Sequence, residues 1–146
     1  MIDTLDVSHR LPGWQKRFLY LADEELAKPF DWVHANCVDL MSTSIMACLG
    51  PKHDSLRKIP SLTSEEDAQT FLDENGGLEA ILDSLFTSIP FAHAFQADIA
   101  LFKNPETHAS AGGIILDGMA VGKQPGKRRN QAFRLPTMAA YKIYRV

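Results

Sequence analysis

The sequence holds only two cysteines, Cys37 and Cys48, among 146 residues, too few for a disulfide framework. If both stand on one helix, eleven positions separate them. That is about 16 Å at ~1.5 Å per residue, and a disulfide needs Cα atoms within about 7 Å. Reduced thiols fit a protein made in a cytoplasm. No run of about 18 apolar residues occurs, so no membrane span is expected. The opening MIDTLDVSHRLPGW is polar and carries acids, unlike a secretory leader. Positive charge is not in excess either. A net charge of −3 and a pI near 5.9 speak against a nucleic-acid binder. Internal repeats and dividing linkers are missing, which leaves one domain. With 45% hydrophobic and 23% charged residues spread along the chain, disorder is excluded and a real core is affordable.

What is present reads as helices first and strands second. Residues 14–28 place Trp14, Phe18, Leu21 and Leu26 at helical spacing, after Pro12-Gly13 and before Pro29. A loop, PFDWVHAN, leads to a second helix over 37–49, with Val38, Met41, Ile45 and Leu49 as its stripe. Gly50-Pro51 stops it. Residues 51–62 read as irregular. Thr63 or Ser64 caps a third helix near 64–74, where Glu66 completes a capping box with Thr63. A fourth, near 77–87, carries Leu78, Ile81, Leu82 and Leu85. After Pro90 come short runs separated by Gly, Pro and Asn, and YKIYRV alternates as a strand does. The expectation is an α+β domain, N-terminal helices packed on a small antiparallel sheet. Residues 1–13 form an arm, 14–89 the helical part and 97–146 the sheet part.

Two chemistries present themselves. His34, Cys37, Cys48 and His53 imitate a zinc pattern, but a helix between the pairs holds them apart, and zinc ligands must converge within about 2.3 Å of the ion. No metal and no cofactor is expected. Nucleophilic catalysis is the more serious reading. A cysteine in the first turn of a helix feels the positive end of the dipole, which lowers its pKa and favours the thiolate. It then needs a histidine base and a polar group to orient that base. The plainer alternative is a small buried side chain, and the pattern alone favours it.

The order of motifs adds a resemblance. Helix, Asn36-Cys37 at a helix start, further helices, ADIALF, AGGIILDG and a C-terminal strand together resemble the NlpC-type branch of the papain-like cysteine peptidases. More closely, they resemble a small uncharacterised family encoded in phage and prophage tail modules. The shared features are W-x-x-x-N-C at Trp32 to Cys37, Gly76-Gly77-Leu78 before a helix, and Ala97-Asp98-Ile99 opening a strand. The resemblance covers roughly residues 10–146. It implies a papain-like core, with Cys37 at the nucleophile position and Asp98 at the acid that opens the first core strand. It also implies a catalytic histidine in H-x-G-I, where this chain reads Ala111-Gly112-Gly113-Ile114. Alanine cannot take a proton. His108, three residues upstream, is the remaining candidate base, although an odd offset on a strand points to the other face unless a bulge or loop intervenes.

General-base catalysis contributes roughly 10²–10⁴-fold, so the expectation is a degenerate enzyme. Its implied role is a structural or assembly component of a tailed-phage tail tip or baseplate, made in the host cytoplasm and carried in the virion. The alternative is an active peptidase cutting peptidoglycan stem peptides with Cys37 as nucleophile. Of the other histidines, His34 reads as a loop residue near the cleft, His93 as core cover, and His9 and His53 have no evident partner. Partners are expected among other tail-tip or hub proteins, not nucleic acid. Three segments are candidates for contacting them. They are the final strand AAYKIYRV, taken as a sheet edge, the cationic KQPGKRRN (residues 123–130), and the polar N-terminal arm.

Overall fold

The computed structural model describes residues 7–28, 37–59, 77–103, 110–123 and 132–146, together with Glu66, Asp67, Thr70 and Glu74. Helix α1 (Trp14–Ala27) follows Gly13, which takes the left-handed conformation at φ 77°. It buries Trp14, Phe18, Ala22 and Glu25, spaced at near-helical intervals along one stripe. Helix α2 (Cys37–Leu49) is apolar around most of its girth and lies inside, with Leu40, Met41, Ile45, Ala47 and Cys48 fully buried. Gly50 ends it at φ 101°, donating its N–H to the Met46 carbonyl at 3.1 Å. Helix α3 (Gly77–Leu85) buries Leu78 and Leu82. Full burial of a residue such as Phe18 or Leu82 contributes about 1.5–3 kcal/mol. No helix among the described residues is long and apolar enough to cross a membrane.

Two local expectations change. Residues 51–62 contain a 3-10 turn, Asp54–Lys58, whose cap is His53: its Nδ1 accepts the Ser55 N–H at 3.2 Å. The helix expected to reach 87 stops at Leu85, and Thr87–Ile89 forms strand β1. Glu66, Asp67, Thr70 and Glu74 are helical and exposed, within the segment expected as a helix near 64–74. Its capping residues Thr63 and Ser64 lie outside the described residues.

The remaining strands are β2 (Ile99–Lys103), β3 (Ser110–Leu116), β4 (Met119–Lys123), β5 (Ala132–Pro136) and β6 (Lys142–Arg145). With β1 they form one six-stranded antiparallel sheet in the order β1-β6-β2-β3-β4-β5. The β3–β4 hairpin turns on Asp117-Gly118, both at positive φ (52° and 80°), as a two-residue turn matched to strand twist requires. The chain is therefore α+β, helices packed against an antiparallel sheet. Ile99, Leu101, Ile114, Leu116, Val121, Tyr144 and Val146 meet the helices in the larger core. Ala100, Phe102, Ile115, Ala120 and Ile143 form a smaller cluster on the opposite face, with Ile89, Ala94 and Ala140.

The final strand is not an edge. β6 lies between β1 and β2, paired to both, so its backbone is already committed on either side. Apolar residues on both faces of YKIYRV are the mark of a strand buried on both faces, Tyr144 in the larger core and Ile143 in the smaller. Strand addition at β6 is thereby excluded. The later part of the N-terminal arm also docks on its own chain: Leu11 donates its N–H to the Cys48 carbonyl at 2.8 Å, and Arg10 is 5% exposed. Residues 1–6 lie outside the described residues.

Candidate functional site

Asp98 is the residue of the expected site that the structure describes in full. It precedes β2 and follows Ala97, a non-glycine residue at φ 71°. Ala97 and Asp98 are pinned to β3 by two backbone bonds: Ala97 N–H to the Ile115 carbonyl (2.9 Å) and Ile115 N–H to the Asp98 carbonyl (2.8 Å). The carboxylate is fully buried and both of its oxygens are engaged. Oδ1 accepts from Arg10 Nη2 at 2.9 Å, Arg145 Nε at 3.0 Å and the Val146 N–H at 3.3 Å. Oδ2 accepts from the Phe95 N–H at 2.9 Å and Arg145 Nε at 3.1 Å.

The two arginines carry the connection further. Arg10 donates Nε to the Val146 carbonyl (2.8 Å) and Nη1 to the Gln96 carbonyl (2.6 Å). Its guanidinium lies 4.3 Å above the Trp14 ring, a cation–π contact that fits a flat, weakly hydrated cation. Trp14 in turn meets Phe95 edge-on at 6.1 Å. Arg145 Nη2 donates to the His93 carbonyl at 2.7 Å. His9 also has a partner, with Nε2 3.1 Å from the Val146 carbonyl oxygen. His93 is half-buried in a short 3-10 turn, and its Nδ1 is buried with no hydrogen-bond partner among the described residues.

Burial pushes the Asp98 carboxyl up, against the pull of Arg145, the Phe95 N–H, Arg10 and the Val146 N–H. Burial likewise pulls the Arg10 guanidinium down. Opposite charges with this many fixed donors remain ionised together. The acid that the resemblance placed at the start of the first core strand thus joins three stretches of chain, the arm at Arg10, the turn at Phe95, and the end of β6. It has no free oxygen to offer a substrate.

Cys37 is the first residue of α2; its side chain, and all of His34 and His108, lie outside the described residues. The described part of β3 nonetheless constrains the expected base. In register Ala111 stands opposite Phe102, a residue of the smaller cluster, whereas Gly112 stands opposite Leu101 under the helices. A Cβ at Gly112 would collide with the Met41 side chain, so α2 packs Met41 directly on the bare strand backbone there. Glycine leaves Met41 the room to lie there. The residue of this strand that meets α2 is therefore Gly112, one place after the position where the resemblance expects the histidine.

Cys48 is free and fully buried, and burial pushes its thiol up to about 11. It is a packed side chain, inert at neutral pH. Among the described residues no group of three or more His, Cys, Asp or Glu is placed to hold a metal ion.

A second polar cluster went unread in the sequence. Glu79 and Asp83 on α3 meet Tyr141, Lys142 and Tyr144. Lys142 Nζ donates to Asp83 Oδ1 (2.6 Å) and Glu79 Oε1 (3.2 Å), and the Tyr144 hydroxyl donates to Asp83 Oδ1 (2.7 Å). Hydrogen bonds from Lys142 and Tyr144 hold the Asp83 carboxyl below its ordinary value. The signal was the i,i+4 acid pair on the helix opposite the i,i+2 Lys and Tyr on the strand.

A family model described as a domain of unknown function (DUF6950) matches residues 9–146. No curated protein and no solved structure matches the chain.

Proposed function

The chain belongs to the DUF6950 family, and we propose that it serves as a structural or assembly component of a tailed-phage tail tip or baseplate. In this reading it is built on a papain-like core that has lost its catalytic base. The observation that carries the reading is Ala111. It stands where the resemblance to NlpC-type peptidases expects a histidine, and its register partner Phe102 belongs to the face away from α2. Asp98 supports it, since both carboxylate oxygens are spent on Arg10, Arg145 and backbone N–H groups. Without a base, an unactivated thiol is only a few per cent ionised near neutral pH. The test is mass spectrometry with crosslinking on purified particles of the parent phage. The protein should be found in the tail, and Cys37→Ser should leave assembly and infection intact, since the two side chains are similar in size. Particles that lack the protein would overturn the reading.

One observation favours a second reading. α2 begins at Cys37, which sets the thiol's residue at the positive end of a buried helix. A peptidase acting on peptidoglycan stem peptides, with Cys37 as nucleophile and His108 as base, would then release peptides from purified sacculi. That release would vanish in both Cys37→Ser and His108→Ala.

A further inference from the structure

Of the surfaces expected to meet partners, β6 is central, and the cationic segment past Lys123 lies outside the described residues. Helix α1 offers another. At about 100° per residue, Lys16, Leu19, Tyr20 and Asp23 gather on the side opposite Trp14, Phe18, Ala22 and Glu25, which the core buries. All four are exposed, Leu19 by 47% and Tyr20 by 64%. Leu19, Tyr20 and Asp23 also line a groove of about 500 Å³ that continues past Leu26 to Leu116 and Asp117 at the β3–β4 turn. The apolar surface is therefore a patch, not a scatter of single side chains. The Tyr20 hydroxyl donates to Glu24, which anchors the ring.

The charges on this stripe are ordered. Lys16 stands about one turn before the apolar pair, and Asp23 about one turn after it. They are too far apart in sequence for the i, i+3 and i, i+4 spacings at which neighbours on one helix meet. No ion pair among the described residues engages either of them. Arg17, the adjacent cation, is spent on the carbonyls of Pro12 and Ala47. The stripe thus presents one unpaired cation, an apolar centre and one unpaired carboxylate, in that order along the axis.

We propose that two copies of the chain associate through α1, antiparallel about a two-fold axis that passes between Leu19 and Tyr20. Across such an axis Leu19 and Tyr20 each meet their own counterpart in the second copy. Lys16 of either copy stands level with Asp23 of the other, because the two positions lie equally far from the axis. Each cation gains the counter-charge that its own helix does not supply, and symmetry makes the contact twice. What selects a second copy over a different partner is this self-complementarity, since one stripe supplies both halves of the contact as an isologous interface requires. A parallel pair in the same register would instead set Lys16 against Lys16 and Asp23 against Asp23. With 14 residues, α1 is ~21 Å long. One such helix pair falls short of the ~1,000 Å² of a stable interface, so the dimer is weak and salt-sensitive. This inference stands apart from the tail reading, because it is tested on the purified chain alone.

The experiment is sedimentation velocity of the full-length protein over a concentration series reaching about 0.5 mM, at about 0.05 M and about 0.5 M salt. Association should appear at the lower salt, stop at the dimer and weaken at the higher salt. Lys16→Glu and Asp23→Lys should each weaken it about tenfold or more. Tyr20→Ala should do the same without a change of charge. Circular dichroism confirms that each variant is folded. Lys16→Glu combined with Asp23→Lys in one chain should recover the wild-type dimer. An equimolar mixture of the two single variants should recover it as well, since each arrangement restores opposite charges at both contacts. A wild-type chain that stays monomeric throughout the low-salt series leaves the stripe to a different partner and overturns the proposal. So do assemblies that grow past the dimer, a dimer that the single variants leave untouched, or a charge exchange that fails to restore it.

Discussion

Two polar clusters in this protein are assembled from the same kinds of groups and differ in where they sit. The Asp98 cluster joins one carboxylate to Arg10 and Arg145 where the side chains of Asp98 and Arg10 are fully inaccessible. The α3–β6 cluster joins Glu79 and Asp83 to Lys142 and Tyr144, with the two acids roughly half-exposed. Hydrogen bonds from Lys142 and Tyr144 pull the Asp83 carboxyl down, while burial pushes the Asp98 carboxyl up despite two arginines. Water makes the difference. Near the surface it screens both partners and releases either at little cost. Inside, removing one partner strands the other in a medium that cannot solvate it.

The comparison predicts its largest effect at Asp98. Asp98→Ala leaves Arg10 buried without its counter-charge and should cost about 3–5 kcal/mol in urea unfolding. A loss no greater than an exposed pair gives would erase the distinction between the clusters.

Burial carries the Cys48 thiol from 9.0 up to about 11, while the nearby charges of Arg10 and Asp98 act on it in opposite directions. The unfolded thiol ionises first as pH rises through 9, so the unfolded state binds fewer protons than the native one between those values. Stability must fall across that interval, by about 2–3 kcal/mol for a shift of this size. Cys48→Ala should flatten that limb of the curve. An unchanged alkaline slope would show that the thiol is better solvated than its burial implies.

The outer cluster should respond weakly and in a different way. Lys142→Met should lower the melting temperature marginally, and the loss should shrink as salt is added, whereas the Asp98→Ala deficit persists. Equal salt sensitivity of the two would break the comparison. The smallest effect belongs to acid titration. A carboxyl held below 3.8 contributes stability above that pH and loses it as pH falls through the depressed value. The gap between wild type and Asp83→Asn should therefore be present at pH 5 and close in stronger acid. A gap that stays constant with pH would assign the effect of Asn to packing.

Local features were legible from residue order. The helical spacing of Trp14 and Phe18 and the stop at Gly50 each depend on neighbours a few positions away, although Ala22 and Glu25 complete the buried stripe where Leu21 and Leu26 were expected. β1 was not legible, because three residues pair only once β6 has arrived from 54 to 58 positions downstream. From the sequence β6 reads as an edge, although its apolar residues on both faces point to the central place it takes between β1 and β2. Of the candidate site, the sequence located Asp98 at the mouth of β2 but not its partners, which lie 88 and 47 positions away at Arg10 and Arg145. Cys37 was placed at the start of α2, and α2 does begin there. The Ala111 reading also rested on the sequence, whereas its pairing with Phe102 depended on register.

By itself, the sequence determined the helices-then-strands order and the bounds of α1 and α2 to within a residue, because helix periodicity and glycine or proline stops are short-range properties of the backbone. It also determined that the expected histidine position holds a residue without a titratable proton. Only the tertiary structure decided that β6 is central, that α2 lies on Gly112, and that Asp98 ties the arm to the last strand. Those outcomes depend on segments far apart in the chain meeting in a dry interior, where one strand register selects which side chains share a face and where a buried charge accepts no substitute for its partner.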